Sequence, residues 1–355
     1  MINILYILIF TSFLPVTYFS IHTDAFQLSI FRIVLVVTLI MFLMDIGKNK
    51  KQLLGTLKQT NLYAIGFHAV WALYALVSVF WVMDYLRWFK SVYFLGLGIF
   101  SILTINIYFR DIKNIKIAFF IIAFIIFINT IIGYYEVFTQ NYAFLDSVLA
   151  LDYSTLRYPV SWFFNPNDFA TIMLLGFCIC NSCMYLVKDK PFLRSLFFLE
   201  SALAASLIFL ARSRANIIGL GISIAFLLFL YIIKRKKQQV FYLLSLIVIV
   251  SLLLLLLSAN GFYNISYAKA TVNVISNESD SIRINLLKNG LQFLSSTHWF
   301  GVGAGNIEYW MTHYAKFETP VISMHNWWAE ILTAYGIFIF LGYLVFYGKI
   351  FFHSN

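Results

Sequence analysis

The chain has 355 residues, of which 61% are apolar, 19% aromatic and only 11% charged. That balance excludes a soluble globular domain and reads as an integral membrane protein. A formal net charge of +10 would suggest nucleic acid in a soluble chain; here the basic residues sit in short runs between apolar stretches, so the charge reports membrane orientation and no nucleic-acid partner is expected.

Windows of about 20 residues, enough to cross roughly 30 Å of hydrocarbon, give ten candidate spans: 2–21, 26–46, 62–83, 89–109, 115–137, 168–187, 191–211, 215–233, 240–258 and 327–352. The first lacks a charged n-region and a small-residue cleavage site, so it is expected to be a retained helix. With the N-terminus inside, the inner loops collect Lys48, Lys50, Lys51 and Lys58, then Arg110, Lys113 and Lys116, then Lys188, Lys190 and Arg194, then Lys234 to Lys237, with Lys349 near the end. Asp24, Asp84, Asp146, Asp168, Glu308 and Glu318 fall on the other side. The expected fold is an all-α polytopic membrane protein of about ten transmembrane helices, both termini cytoplasmic, with one large external loop between the last two. Its divisions are residues 1–258, the loop 259–326 and the final helix within 327–355.

One short turn breaks the positive-inside rule. Between the seventh and eighth spans the external link reads Ala211-Arg212-Ser213-Arg214. In the sixth span Cys178, Cys180 and Cys183 have no His or carboxylate beside them, so they read as soft, buried side chains and no metal is expected there. Before that span, the outer loop 138–167 closes on Asn165-Pro166-Asn167-Asp168, where Asn167 or Asp168 is expected to cap the helix.

The segment 259–326 holds most of the remaining polar chemistry. Ser279 or Asp280 is expected to cap a helix through about Ser295, with Ile282, Leu286, Leu291 and Leu294 at helical spacing. Trp299-Phe300-Gly301-Val302-Gly303-Ala304-Gly305-Asn306 is a glycine-rich turn with no βαβ unit around it, so close backbone approach is a better reading than nucleotide binding. The loop ends at His325-Asn326-Trp327-Trp328-Ala329-Glu330, whose paired tryptophans place His325 at the outer water boundary.

Several of these side chains suit anionic-ligand chemistry. Head-group anchoring by Arg212 and Arg214 would work as well with lysine, whereas the planar guanidinium fork matches phosphate oxygens two at a time, so a lipid diphosphate fits better. Arg283 either completes that cationic cluster or is a solvated helix charge. His325 is suited to a general base, with a single structural hydrogen bond as the alternative. Glu200 is an intramembrane carboxylate, functional by default or else protonated or paired, and Arg32 either snorkels outward or joins the cationic site. The sequence has no P-loop, dinucleotide fingerprint or Asp-x-Asp, and Glu278-Ser279-Asp280 is the nearest approach to a metal dyad, so a metal-dependent nucleotide-sugar transferase is disfavoured.

In order, Phe164-Asn165-Pro166-Asn167-Asp168-Phe169-Ala170, the stretch Ser206 to Gly219 with its two arginines, Ser281-Ile282-Arg283, the glycine turn, and His325-Asn326 leading to Glu330 and Gly336 resemble the O-antigen ligase and Wzy-type polysaccharide polymerase superfamily. Within it the His325 segment most resembles the teichuronic acid polymerases of Gram-positive bacteria. The resemblance implies a glycosyltransferase of the bacterial plasma membrane with its active site on the external face. It would move a glycan from a polyprenyl-diphosphate donor to a sugar hydroxyl, using no nucleotide, metal or cofactor, with lipid and assembly-pathway proteins as neighbours. It assigns the diphosphate to the turn arginines, of which Arg214 or Arg212 is the match, and to Arg283, and the base to His325; Asn326, Glu330 and Asn167 lie in the resembling stretches as supporting candidates, and Arg32 is a supporting candidate from its place in the second span. Family members carry further spans after the large loop, whereas the sequence stops at Asn355, so the family's C-terminal helices are expected to be missing. Polymerisation is the expected reaction; ligation of finished glycan to a lipid or protein acceptor is the alternative, and transport of the lipid-linked glycan is a third reading, weakened by helices that lack Gly/Pro breaks in matching halves.

Overall fold

The computed structural model describes residues 1–15, 20–22, 27–59, 62–145, 147–235, 237–259 and 265–353; the side chains of Asp24, Asp146, Glu278, Ser279 and Asp280 lie outside the described residues. In chain order the elements are α1 (Ile2–Ser12), a hairpin of β1 (Ser20–His22) and β2 (Gln27–Ser29), α2 (Ile30–Gln59), α3 (Leu62–Val77), α4 (Tyr85–Tyr108), α5 (Ile112–Thr139), α6 (Ser147–Leu156), α7 (Pro166–Leu186), α8 (Pro191–Leu210), α9 (Arg214–Ile233), α10 (Lys237–Ala259), α11 (Ile265–Ser296), α12 (Ile307–Tyr314) and α13 (Trp327–His353). Among the described residues eight helices are long and apolar enough to cross a membrane, and α1 and Ile65–Phe80 are shorter apolar helices. The protein is a helical, multi-pass membrane protein.

Several boundaries differ from those read in the sequence, and three show why. The first span stops at Ser12, ahead of Pro15, which disfavours α conformation at the residue before it, and the chain then pairs β1 with β2, Ile21 opposite Leu28. The third span gives way at Val77 to a 3₁₀ turn, Ser78–Phe80, because Asp84 starts a new helix: its Oδ1 accepts from the Arg87 amide at 2.9 Å. The helix expected to begin at Ser279 or Asp280 already runs from Ile265. In addition, α6 forms inside the loop 138–167.

The helices form two compact units, one of Met1–Leu43 with Phe109–Ala268 and one of Met44–Tyr108 with Lys269–Asn355. In the first, α7 packs on α8 and α5 around Phe169, Met173, Phe177, Ala204 and Leu207. Small residues set the spacing: a Cβ on Gly133 would lie 2.6 Å from the Phe169 ring, and one on Gly176 would lie 2.5 Å from Ile126. Glu200 reaches across helices, its Oε1 accepting a hydrogen bond from Thr130 Oγ1 at 2.7 Å.

The second unit is organised by a break in its last helix. At Gly336, φ 73° and ψ −176° interrupt α13, and the glycine turn enters the gap. Val302 N–H donates to Thr333 O at 2.9 Å, Gly303 N–H to Ala334 O at 2.9 Å, and Ile337 N–H to Trp299 O at 3.0 Å. Gly301 and Gly336 permit this approach, since a Cβ on Gly301 would sit 2.6 Å from the Gly336 nitrogen and one on Gly336 would strike the Trp299 carbonyl oxygen. Gly336→Ala, strained in backbone and blocked in space, is expected to destabilise the protein by about 2 kcal/mol or more. Gly348→Ala, in the same helix with nothing within 4 Å of the new methyl, is expected to change little, and thermal unfolding in detergent compares the two.

Candidate functional site

In the first unit the α8–α9 turn is built from Ala211, Arg212 and Ser213. Arg212 lies at φ 52°, the left-handed position that follows many helices and usually holds glycine, at a cost of roughly 1–2 kcal/mol for an L side chain. The half-buried Arg212 guanidinium stands 5.2 Å over the Tyr158 ring. Arg214 opens α9 and is exposed, beside the partial positive charge of a helix N-terminus.

Asn216 ties this turn to the start of α7. Its Nδ2 donates to Ser213 Oγ at 2.8 Å and to the Asn167 carbonyl at 3.2 Å, while its Oδ1 accepts from Thr171 Oγ1 at 3.2 Å. The expected cap of α7 is corrected: Asn165, not Asn167 or Asp168, accepts from the Asn167 amide at 2.8 Å, because Pro166 takes the first helical position and leaves Asn165 extended before it. Asn167 contributes its backbone. Arg32 sits in the first turn of α2, its amide donating to Ser29 Oγ at 3.3 Å.

The loop that carries Tyr158 is anchored by residues the sequence reading did not single out. Glu136, 1% exposed near the end of α5, accepts from the Val160 and Ser161 amides at 2.8 Å each. Ser161 Oγ donates to Asn129 Oδ1 at 2.8 Å, and Trp162 Nε1 to the Phe13 carbonyl at 3.1 Å. Glu136 had the signal of a carboxylate at the end of an apolar span, the same one that drew attention to Glu200.

In the second unit His325 is exposed at φ 49°, immediately before α13. Asn326 is the cap: its Oδ1 accepts from the Trp328 and Ala329 amides at 3.1 and 3.2 Å, and its carbonyl from the Glu330 amide at 2.8 Å. Glu330, one turn in, interacts electrostatically with both His325 and Glu308. Met324, just before His325, packs over Gly290 of α11, where a Cβ would lie 2.8 Å from its methyl. Arg283 is exposed on α11; two turns on, Asn289 accepts from the Lys316 and Phe317 amides at 3.1 and 3.0 Å and so holds the segment leading to His325.

Beside this segment lies a cavity of about 830 Å³, whose walls include His68, Trp71, Ser91, Glu308, Trp327 and Glu330. Arg87 pairs with Asp84 at 3.3 Å and with Glu308 at 3.7 Å. Asn306, fully buried, accepts from the Met83 and Asp84 amides at 3.0 and 2.8 Å, which fixes the start of α12 and hence Glu308. The Arg87–Glu308 pairing escaped the sequence reading because the two residues are far apart in the chain and share no local motif. The structure thus gathers His325, Asn326 and Glu330 at one helix start, and Asn167 with the arginine turn at another. Asn326→Ala removes the cap and is expected to speed exchange of the Trp328 and Ala329 amides by about threefold to thirtyfold, read by hydrogen–deuterium exchange.

The family model described as O-Antigen ligase matches residues 200–344, which contain the arginine turn, α11, the glycine turn and the His325 helix start. The teichuronic acid biosynthesis protein TuaE of Bacillus subtilis (strain 168) is 30% identical over 350 residues, covering 97% of this chain and 71% of the relative. No solved structure matches. The chain belongs to the O-antigen ligase family of membrane glycan polymerases and ligases.

Proposed function

We propose that the protein polymerises a cell-surface polysaccharide of teichuronic acid or capsule type, moving a glycan from a polyprenyl-diphosphate donor to a sugar hydroxyl at the external face of the bacterial plasma membrane. The observation that carries this reading is the His325 start of α13: an exposed imidazole held left-handed, with its helix capped by the next residue and the Glu330 carboxylate in electrostatic reach. Such a group is suited to taking a proton from a hydroxyl. The acceptor oxygen then bonds to the anomeric carbon as the bond to the diphosphate oxygen breaks.

Negative charge grows on the leaving lipid diphosphate, and preorganised guanidinium groups are its natural counterpart. Arg212 and Arg214 in the first unit and Arg283 in the second are the candidates, each open to separate test. The energy of transfer comes from the glycosyl–diphosphate bond, so the reaction needs no nucleotide, and the arginines do the work a divalent cation does in nucleotide-sugar transferases. The relative's name, which includes teichuronic acid biosynthesis, favours polymerisation; the family description, O-Antigen ligase, favours the second reading, transfer of finished glycan to another acceptor.

Purified protein in detergent, given a lipid-linked repeat unit, is expected to lengthen the lipid-linked chain, whereas a ligase would leave the chain length unchanged until its own acceptor was supplied. His325→Ala and Arg283→Ala are each expected to slow elongation on the order of 100-fold. Unchanged rates in both variants would remove the assignment.

A further inference from the structure

The two arginines of the α8–α9 turn are held in different ways. Arg212 is half-buried in a conformation that glycine adopts without strain, and its guanidinium rests 5.2 Å over Tyr158. Tyr158 is fixed in turn: its amide donates to the Tyr153 carbonyl at 3.1 Å and its carbonyl accepts from Tyr142 Oη at 2.9 Å. Arg157, just before it, donates from Nη1 to the Val137 carbonyl at 2.8 Å, and the buried Glu136 carboxylate holds Val160 and Ser161, just after it. The ring under Arg212 is therefore a platform bolted to the end of α5. Arg214, by contrast, is exposed at the first position of α9, where the helix dipole favours an anion.

We propose that Arg212 is a positioning residue, locked by cation–π contact to the Tyr158 ring, and that it holds the turn so that Arg214 is the arginine of the pair that meets the donor's diphosphate. This rests on the diphosphate reading of the turn given above. A left-handed arginine where glycine would be unstrained then has a reason: the site needs a side chain that reaches the Tyr158 platform.

The test uses the purified protein in nanodiscs with a lipid-linked repeat unit as donor. With Tyr158→Phe as the reference, replacing that phenylalanine by its trifluoro analogue weakens the negative face of the ring while keeping its shape. Donor KM is expected to rise about tenfold, the scale of a partly desolvated cation–π contact, with kcat little changed. Arg212→Ala is expected to do the same. Combined with Arg214→Ala, it is expected to add less than about twofold, because a residue that acts through another has nothing left to act on. Fluorination that leaves KM unmoved, or losses that multiply in the double variant, would overturn the inference while leaving the diphosphate reading in place. Arg214→Ala with donor KM and kcat both unchanged would overturn that reading itself, and the inference with it.

Discussion

Every departure from helix in a membrane protein must find partners for its backbone amides and carbonyls within the protein, since lipid offers none. In the second unit that constraint is met by one interaction. The break at Gly336 would strand the carbonyls of Thr333 and Ala334 and the amide of Ile337, and the Trp299–Gly303 backbone supplies all three partners. The glycines at both sides of the joint let two main chains meet where any side chain would hold them apart. From that joint follow the path of the glycine turn, the placement of Asn306 and Glu308, and the direction in which the first half of α13 presents Glu330 and His325.

The first unit solves the same problem with side chains. Glu136, Asn129 and Asn216 are buried: Glu136 holds the Val160 and Ser161 amides, Asn129 accepts from the Ser161 hydroxyl, and Asn216 joins the Asn167 carbonyl at the start of α7 to Ser213, the cap of its own helix. A buried carboxylate is tolerated when amides converge on it, and the reward is a loop fixed well enough to carry an aromatic ring under an arginine. Both units thus present a left-handed residue next to a helix start, Arg212 before α9 and His325 before α13, in a setting rigid enough to hold it.

Much of this is legible in the sequence. The spans read at 168–187, 191–211 and 215–233 lie within two residues of α7, α8 and α9, because proline and charge punctuate them sharply. The glycine turn was recognisable as a place of close backbone approach, and the paired tryptophans marked the start of α13. What stayed hidden is long-range. That residues 44–108 pack with 269–353 leaves no trace in local periodicity, nor does the Arg87–Glu308 pair. Tyr158 reads as one more interfacial aromatic until the turn 54 residues later is seen above it. The α7 cap is Asn165 and not Asn167 or Asp168, which are equally good caps on paper, because Pro166 takes the first helical position.

In the proposed reaction this helical scaffold makes a glycosidic bond as a lipid diphosphate bond is broken. Mass spectrometry of a nanodisc reaction started with a single lipid-linked repeat unit measures both sides of that exchange at once. The expected result is a product ladder spaced by whole repeat units, with one polyprenyl diphosphate released for each unit added. Release without any ladder, or a donor recovered intact on the opposite leaflet, would contradict it.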